Sequence, residues 1–174
     1  MVEGFYRKPY SFDQRKDLIK FISDIKLNTY VYGPKEDPYH RKKYEALYPS
    51  RRLKEFAHLN ELSNRCRVHF VYALSPGAHP DPKAILKKFR QLLCVGITKF
   101  AIFYDDINTE RDKKTAGIQA QTANNLYGIL AGKIAAPSVF FCPTQYSGWN
   151  PTEYLLTISK ELNRERNLDK LSLS

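Results

Sequence analysis

Phe100-Ala101-Ile102-Phe103-Tyr104-Asp105-Asp106 is an unbroken apolar run that stops on two adjacent carboxylates. A run of this length, apolar at successive positions, reads as a strand buried on both faces. Similar runs lie on either side of it. Val68 to Leu74 stops at Ser75-Pro76-Gly77, and Asn28 to Gly33 stops at Pro34-Lys35. Val2 to Tyr6 opens the chain, and Ser138 to Cys142 stops at Pro143-Thr144.

Between the runs the period changes to that of helices. Ser11 and Gln14 have the spacing of a capping box, and Leu18, Ile22 and Ile25 then fall on one helix face. A polar loop rich in Lys, Asp, Tyr and His leads to a second helix, from about Ser50 to Asn64. Pro82 can open a third at its first position, carrying Ile85, Phe89 and Leu92 or Leu93, with Gly96 closing it. The fourth carries Ile118, Leu126 and Ile129, and the last covers Pro151 to Leu162. Lys170 to Ser174 reads as a frayed tail.

Doubly apolar strands alternating with helices predict a parallel α/β sheet built from five βα units of roughly 30 residues. An open doubly wound sheet and a (β/α) barrel compete. No Gly-rich phosphate turn follows the first strand. Polar residues and Gly instead mark the C-terminal end of every strand, where a barrel carries its chemistry. A full barrel has eight units and about 250 residues, so this reading expects a partial barrel over residues 1–165 and a tail over 166–174.

The 174 residues include 28 Lys and Arg against 18 Asp and Glu, a formal net charge of +10, with 43% hydrophobic residues. That composition excludes a disordered or collagenous chain. No run of 18 apolar residues exists to span a membrane, and no leader precedes the first strand. Cys66, Cys94 and Cys142 suit neither a disulfide framework nor a zinc site. A soluble, cytoplasmic protein without cofactor or metal is the expectation. The basic residues are scattered along the chain, as on an ordinary solvated surface. A basic nucleic-acid-binding module is the rival from another class, but no zinc-finger, RRM or helix-turn-helix signature supports it.

Asp105 and Asp106 are costly at the end of a buried strand unless solvated, paired or used. Adjacent carboxylates suit a glycosidase-like division between an acid and an anion; a helix cap or loop pair is the plainer alternative. Lys35 could hold a substrate hydroxyl or pair with Glu36 or Asp37. Tyr146 and Trp149, beyond the fifth strand, could stack on a sugar ring or pack. His69 lies within a strand, as a core residue or one that backs a residue of the site, and the four histidines show no metal-ligand spacing.

Five ordered blocks carry a resemblance: Val2-Glu3-Gly4-Phe5-Tyr6, Asn28 to Arg41 (with Tyr32-Gly33-Pro34-Lys35-Glu36-Asp37-Pro38-Tyr39-His40-Arg41), Phe70 to Gly77, Tyr104-Asp105-Asp106-Ile107, and Phe141-Cys142-Pro143-Thr144-Gln145-Tyr146. Together they resemble the catalytic domain of glycoside hydrolase family 84, the O-GlcNAcases and bacterial hyaluronidase-like β-N-acetylglucosaminidases, over residues 2 to about 162. The resemblance implies a (β/α)8 TIM-barrel fold and a retaining hydrolysis in which the sugar's own acetamido oxygen attacks the anomeric carbon. It implies that Asp105 holds the acetamido N–H and that Asp106 protonates the leaving oxygen and later deprotonates water. Gly4 would offer its backbone to a sugar hydroxyl, Lys35 would bind a hydroxyl, and Tyr146 would hydrogen-bond around the acetamido group. The implied partner is a GlcNAc-containing glycan or glycoprotein.

The chain departs from the family pattern at Arg7 (usually Gly), Tyr10 (usually Trp) and Gln145 (usually Glu), and after Gly77 it is shortened. The Trp, Asn and Asp that complete the sugar pocket lie on later strands, so hydrolysis is expected to be impaired. Self-association, or a complementing chain, is expected at the open barrel edges. A non-catalytic carbohydrate-binding remnant is the alternative within the family.

Overall fold

A computed structural model describes residues 1–135, 137–146 and 150–171, the stretch 163–171 by backbone alone. The order is β1 (Val2–Glu3), α1 (Phe12–Asp24), β2 (Thr29–Tyr32), α2 (Ser50–Arg65), β3 (His69–Leu74), α3 (Pro82–Leu93), β4 (Lys99–Phe103), α4 (Lys113–Ala131), β5 (Val139–Cys142) and α5 (Glu153–Leu171). The last helix therefore continues past Leu162, into the stretch read as a tail.

The strands form one parallel sheet in the sequential order β1-β2-β3-β4-β5. Val2 pairs with Val31, Val31 with Val71, Val71 with Lys99, and Phe100 with Val139. A doubly wound sheet reverses its strand order part-way; this one never does. Successive side chains on a strand point to opposite faces, and the buried residues divide accordingly. Tyr30, Tyr32, Phe70, Tyr72, Phe100 and Ile102 pack with Ile19, Phe56, Phe89 and Leu126 of α1 to α4. Val31, Val71, Ala73 and Ala101 form a second, smaller cluster with Phe103 on the other face. Helices α1 to α4 thus lie on one side of the sheet, and the smaller cluster lines the other. This is the layering of a (β/α) barrel, present here as five consecutive units.

Local chemistry explains the helix ends. Ser11 and Gln14 form the capping box as read, each side chain bonded to the other's backbone N–H. Asp81 and Asp112 cap α3 and α4. Three helices close on a residue with positive φ: Lys26 (64°), Arg67 (56°) and Gly96 (85°). In each, the next amide reaches back five residues, as in Leu27 N to Ile22 O at 2.8 Å, Val68 N to Ser63 O at 2.8 Å and Ile97 N to Leu92 O at 3.2 Å.

Two helix faces differ from the reading. Helix α1 buries Arg15, Ile19 and Ile22 rather than Leu18, Ile22 and Ile25. Arg15 is drawn in by Glu3, itself fully buried, through a bidentate pair at 2.9 and 2.8 Å. Tyr30 donates its hydroxyl to the same carboxylate. Such a pair is held in place by the large cost, about 3–5 kcal/mol, of removing one partner. On α4 Ile118 is exposed, because the small residues Ala116 and Ala120 face Tyr154 and Ile158 of α5.

Candidate active site

The C-terminal ends of β1, β2 and β4 meet at a compact charged cluster. Lys35, two residues beyond Gly33, is buried, its side chain only 1% exposed. Its ammonium donates to Asp105 Oδ2 at 2.6 Å and stands 4.0 Å from Asp106 Oδ2. The pairing with Glu36 or Asp37 considered from sequence does not form. Asp37 is instead buried under the hydroxyls of Tyr32 (2.5 Å) and Tyr48 (2.6 Å) and the amide of Tyr39. With one positive charge matched to a nearby carboxylate, Lys35 and Asp105 satisfy the condition for burying charge beside an apolar strand.

Asp105 has a second oxygen, Oδ1, that is buried and meets no hydrogen-bond donor among the described residues. Asp106 differs in every respect. Its side chain is 51% exposed, and its backbone takes φ +56°, a conformation that Asp tolerates better than most residues. Arg41 donates to the Asp106 carbonyl at 2.8 Å and to the Tyr6 hydroxyl at 2.7 Å, its guanidinium lying over the Tyr6 ring. Tyr6 in turn donates to Asp106 Oδ2 at 3.1 Å. The turn after β4 is therefore fastened to the loops after β1 and β2.

His40 enters from the loop after β2 and is fully buried. Its Nδ1 bonds the Ala73 carbonyl at 2.8 Å, which makes Nδ1 the protonated nitrogen. Nε2 is then an acceptor, buried and without a donor among the described residues. Burial, with help from the Lys35 cation and against the Ala73 bond, lowers its pKa to about 4. Gly33 allows a close approach to the neighbouring strand: a Cβ there would stand a tight 3.2 Å from Ala73 Cβ, and would meet His40 Cε1 at an ordinary contact distance of 3.5 Å.

Gly4 follows β1. Gly33 N bonds Glu3 O and Lys35 N bonds Phe5 O, so by the alternation of an extended strand the Gly4 backbone groups turn away from β2, toward the open edge. Tyr146 stands beyond β5, 67% exposed. Trp149 lies outside the described residues. Lys35, Asp105 and Asp106 are thus brought together, and Gly4 immediately precedes Phe5, whose carbonyl accepts from the Lys35 amide at 3.2 Å. Tyr6, Arg41 and His40 are the members of the cluster to which sequence reasoning gave no role.

A sheet of consecutive parallel βα units, with its ionisable cluster on the loops at the C-terminal strand ends, defines the class: a (β/α)-barrel domain of the kind that carries enzyme sites. The family model described as beta-N-acetylglucosaminidase matches residues 1–168, and the chain belongs to that family of glycoside hydrolases. It is similar to the protein O-GlcNAcases of Rattus norvegicus and Mus musculus, 32% identical to each over 93% of this chain and 19% of the relative. Among solved structures it is similar to a mutant O-GlcNAc hydrolase of Thermobaculum terrenum, with 30% identity and a TM-score of 0.84 over 93% of this chain and 38% of that one. CpGH84B gives 31% identity and a TM-score of 0.82, over 93% and 31%. The chain spans about a fifth of the length of the mammalian relatives.

Proposed function

We propose that the cluster is the catalytic half-site of a retaining β-N-acetylglucosaminidase that acts on terminal β-linked GlcNAc, on O-GlcNAc proteins or GlcNAc-containing glycans. The observation that supports this most directly is the unequal state of the two aspartates. Asp105 has one oxygen committed to Lys35 and one buried acceptor left over, which suits an amide N–H of the substrate. Holding that N–H orients the acetamido oxygen for attack on the anomeric carbon, giving an oxazoline and releasing the leaving group. Asp106, half-exposed and clear of the buried strand, suits the proton traffic: it protonates the departing oxygen and then takes a proton from the water that opens the oxazoline. Lys35 and the Gly4 backbone would bind sugar hydroxyls, and Tyr146 would hydrogen-bond around the acetamido group.

A second reading of the same site, for the five βα units taken alone, is sugar binding without turnover. Remote hydroxyls left without partners would withhold binding energy needed at the reacting centre. Calorimetric titration with N-acetylglucosamine and with glucose tests what the two readings share. Binding of the N-acetyl sugar alone, abolished by Asp105→Asn, is expected; equal affinity for glucose would refute both. A chimera in which the Thermobaculum enzyme supplies the rest of the barrel tests the roles. There Asp106→Asn should slow substrates with poor leaving groups far more than activated aryl glycosides, while Asp105→Asn should slow both.

A further inference from the structure

Basic residues that look scattered in the sequence are gathered by the fold. Arg7 and Lys8 follow Tyr6 on the loop after β1, and Lys42 and Lys43 follow Arg41 on the loop after β2. The Arg41–Tyr6 bond at 2.7 Å ties the two loops together, and both residues bond Asp106. All four flanking cations are exposed, and among the described residues none makes an ion pair. Some cations of α1 and α2 are paired, Lys16 with Asp13 at 2.7 Å and Arg52 with Glu55 at 2.7 Å, although the exposed Lys54 of α2 makes no ion pair among the described residues. Opposing charge on these two loops is sparse. Glu36 and Glu45 are exposed there, whereas Asp37 is buried beneath tyrosine hydroxyls.

Position gives this patch a meaning, which rests on the assignment of Asp106 above. An acid that protonates the glycosidic oxygen stands beside whatever is bonded to that oxygen. The part of the substrate that leaves must therefore pass over Asp106, Tyr6 and Arg41, between the two basic loops. We propose that Arg7, Lys8, Lys42 and Lys43 select the leaving group, and that it is a polypeptide with acidic residues flanking the sugar-bearing side chain. Unpaired cations on exposed loops act over about 8 Å at physiological ionic strength, so they need no fixed docking geometry. That suits an extended peptide of varied sequence, and the mammalian relatives are by name protein O-GlcNAcases.

Binding of four probes to the full 174-residue chain tests this. They are a peptide with a GlcNAc-bearing serine between glutamates, the same peptide with glutamines, the glutamate peptide without sugar, and a uronic-acid oligosaccharide ending in GlcNAc. The acidic glycopeptide should bind about tenfold more tightly than the glutamine one at low salt. The advantage should vanish at 0.5 M salt (roughly a 4 Å screening length) and in the surface variant Arg7→Gln/Lys8→Gln/Lys42→Gln/Lys43→Gln, whose affinity for free N-acetylglucosamine stays unchanged. Equal binding of the two glycopeptides overturns the inference and leaves the sugar site standing. Tightest binding by the uronic-acid glycan overturns the choice of a polypeptide. Binding of the acidic peptide irrespective of its sugar overturns the link between patch and site, and with it the assignment of Asp106.

Discussion

His40 shows what a single residue contributes here and why its sequence position gave no warning. The imidazole is fully buried with its pKa lowered to about 4 from 6.5. Between those values the unfolded chain binds a proton that the folded chain does not. The stability associated with neutral His40 is therefore complete above pH 6.5 and lost as the pH falls toward 4, by about 3 kcal/mol at most. Urea unfolding of the wild type and of His40→Asn, whose amide can keep a donor near Nδ1, should show a shallower acid decline in the variant. Identical slopes would mean that His40 is not held neutral. The carboxylate pair was legible because two acids ending an apolar strand need a partner or a purpose. Tyr6, Arg41 and His40 were not, because their bonds span 100, 65 and 33 residues, and spacing along a chain carries no record of such meetings.

Elements were read more securely than the faces they bury. Leu18/Ile22/Ile25 and Arg15/Ile19/Ile22 have the same helical spacing, and hydrophobicity alone prefers the first. The buried Glu3 carboxylate decides for the second by demanding a cation. Helix ends carry a second lesson. Lys26 and Arg67 occupy the left-handed position that Gly96 fills in α3, and a side chain there costs about 1 kcal/mol relative to glycine. Both side chains are exposed, so nothing of their packing is at stake. Arg67→Gly and Lys26→Gly should each raise the unfolding midpoint in urea, together by about 1–2 kcal/mol. A loss of stability in either would show that the φ values of these caps are not as described.

For the whole molecule the strand count governs behaviour. The alternation of apolar runs with helices, and the absence of a phosphate turn, were enough to favour a barrel, and the sequential order of five strands bears that out. Yet among the described residues β1 and β5 each pair on one side only, and Val2 and Phe140 on these strands are exposed. Unblunted edges recruit other chains. The 174-residue polypeptide on its own should associate in light scattering or bind a hydrophobic dye, and should turn over an aryl N-acetylglucosaminide negligibly. A stable monomer with robust Asp106-dependent hydrolysis would refute this. The same strand order also sets a timetable. Every strand pairs with the one made just before it, so each βα unit finds its partner already present when it leaves the ribosome. At about 5–20 residues per second, a unit of roughly 30 residues emerges every few seconds, whereas helices form within about a microsecond. Each unit has ample time to settle on its predecessor before the next arrives, and the growing sheet always offers the nascent chain one fresh edge.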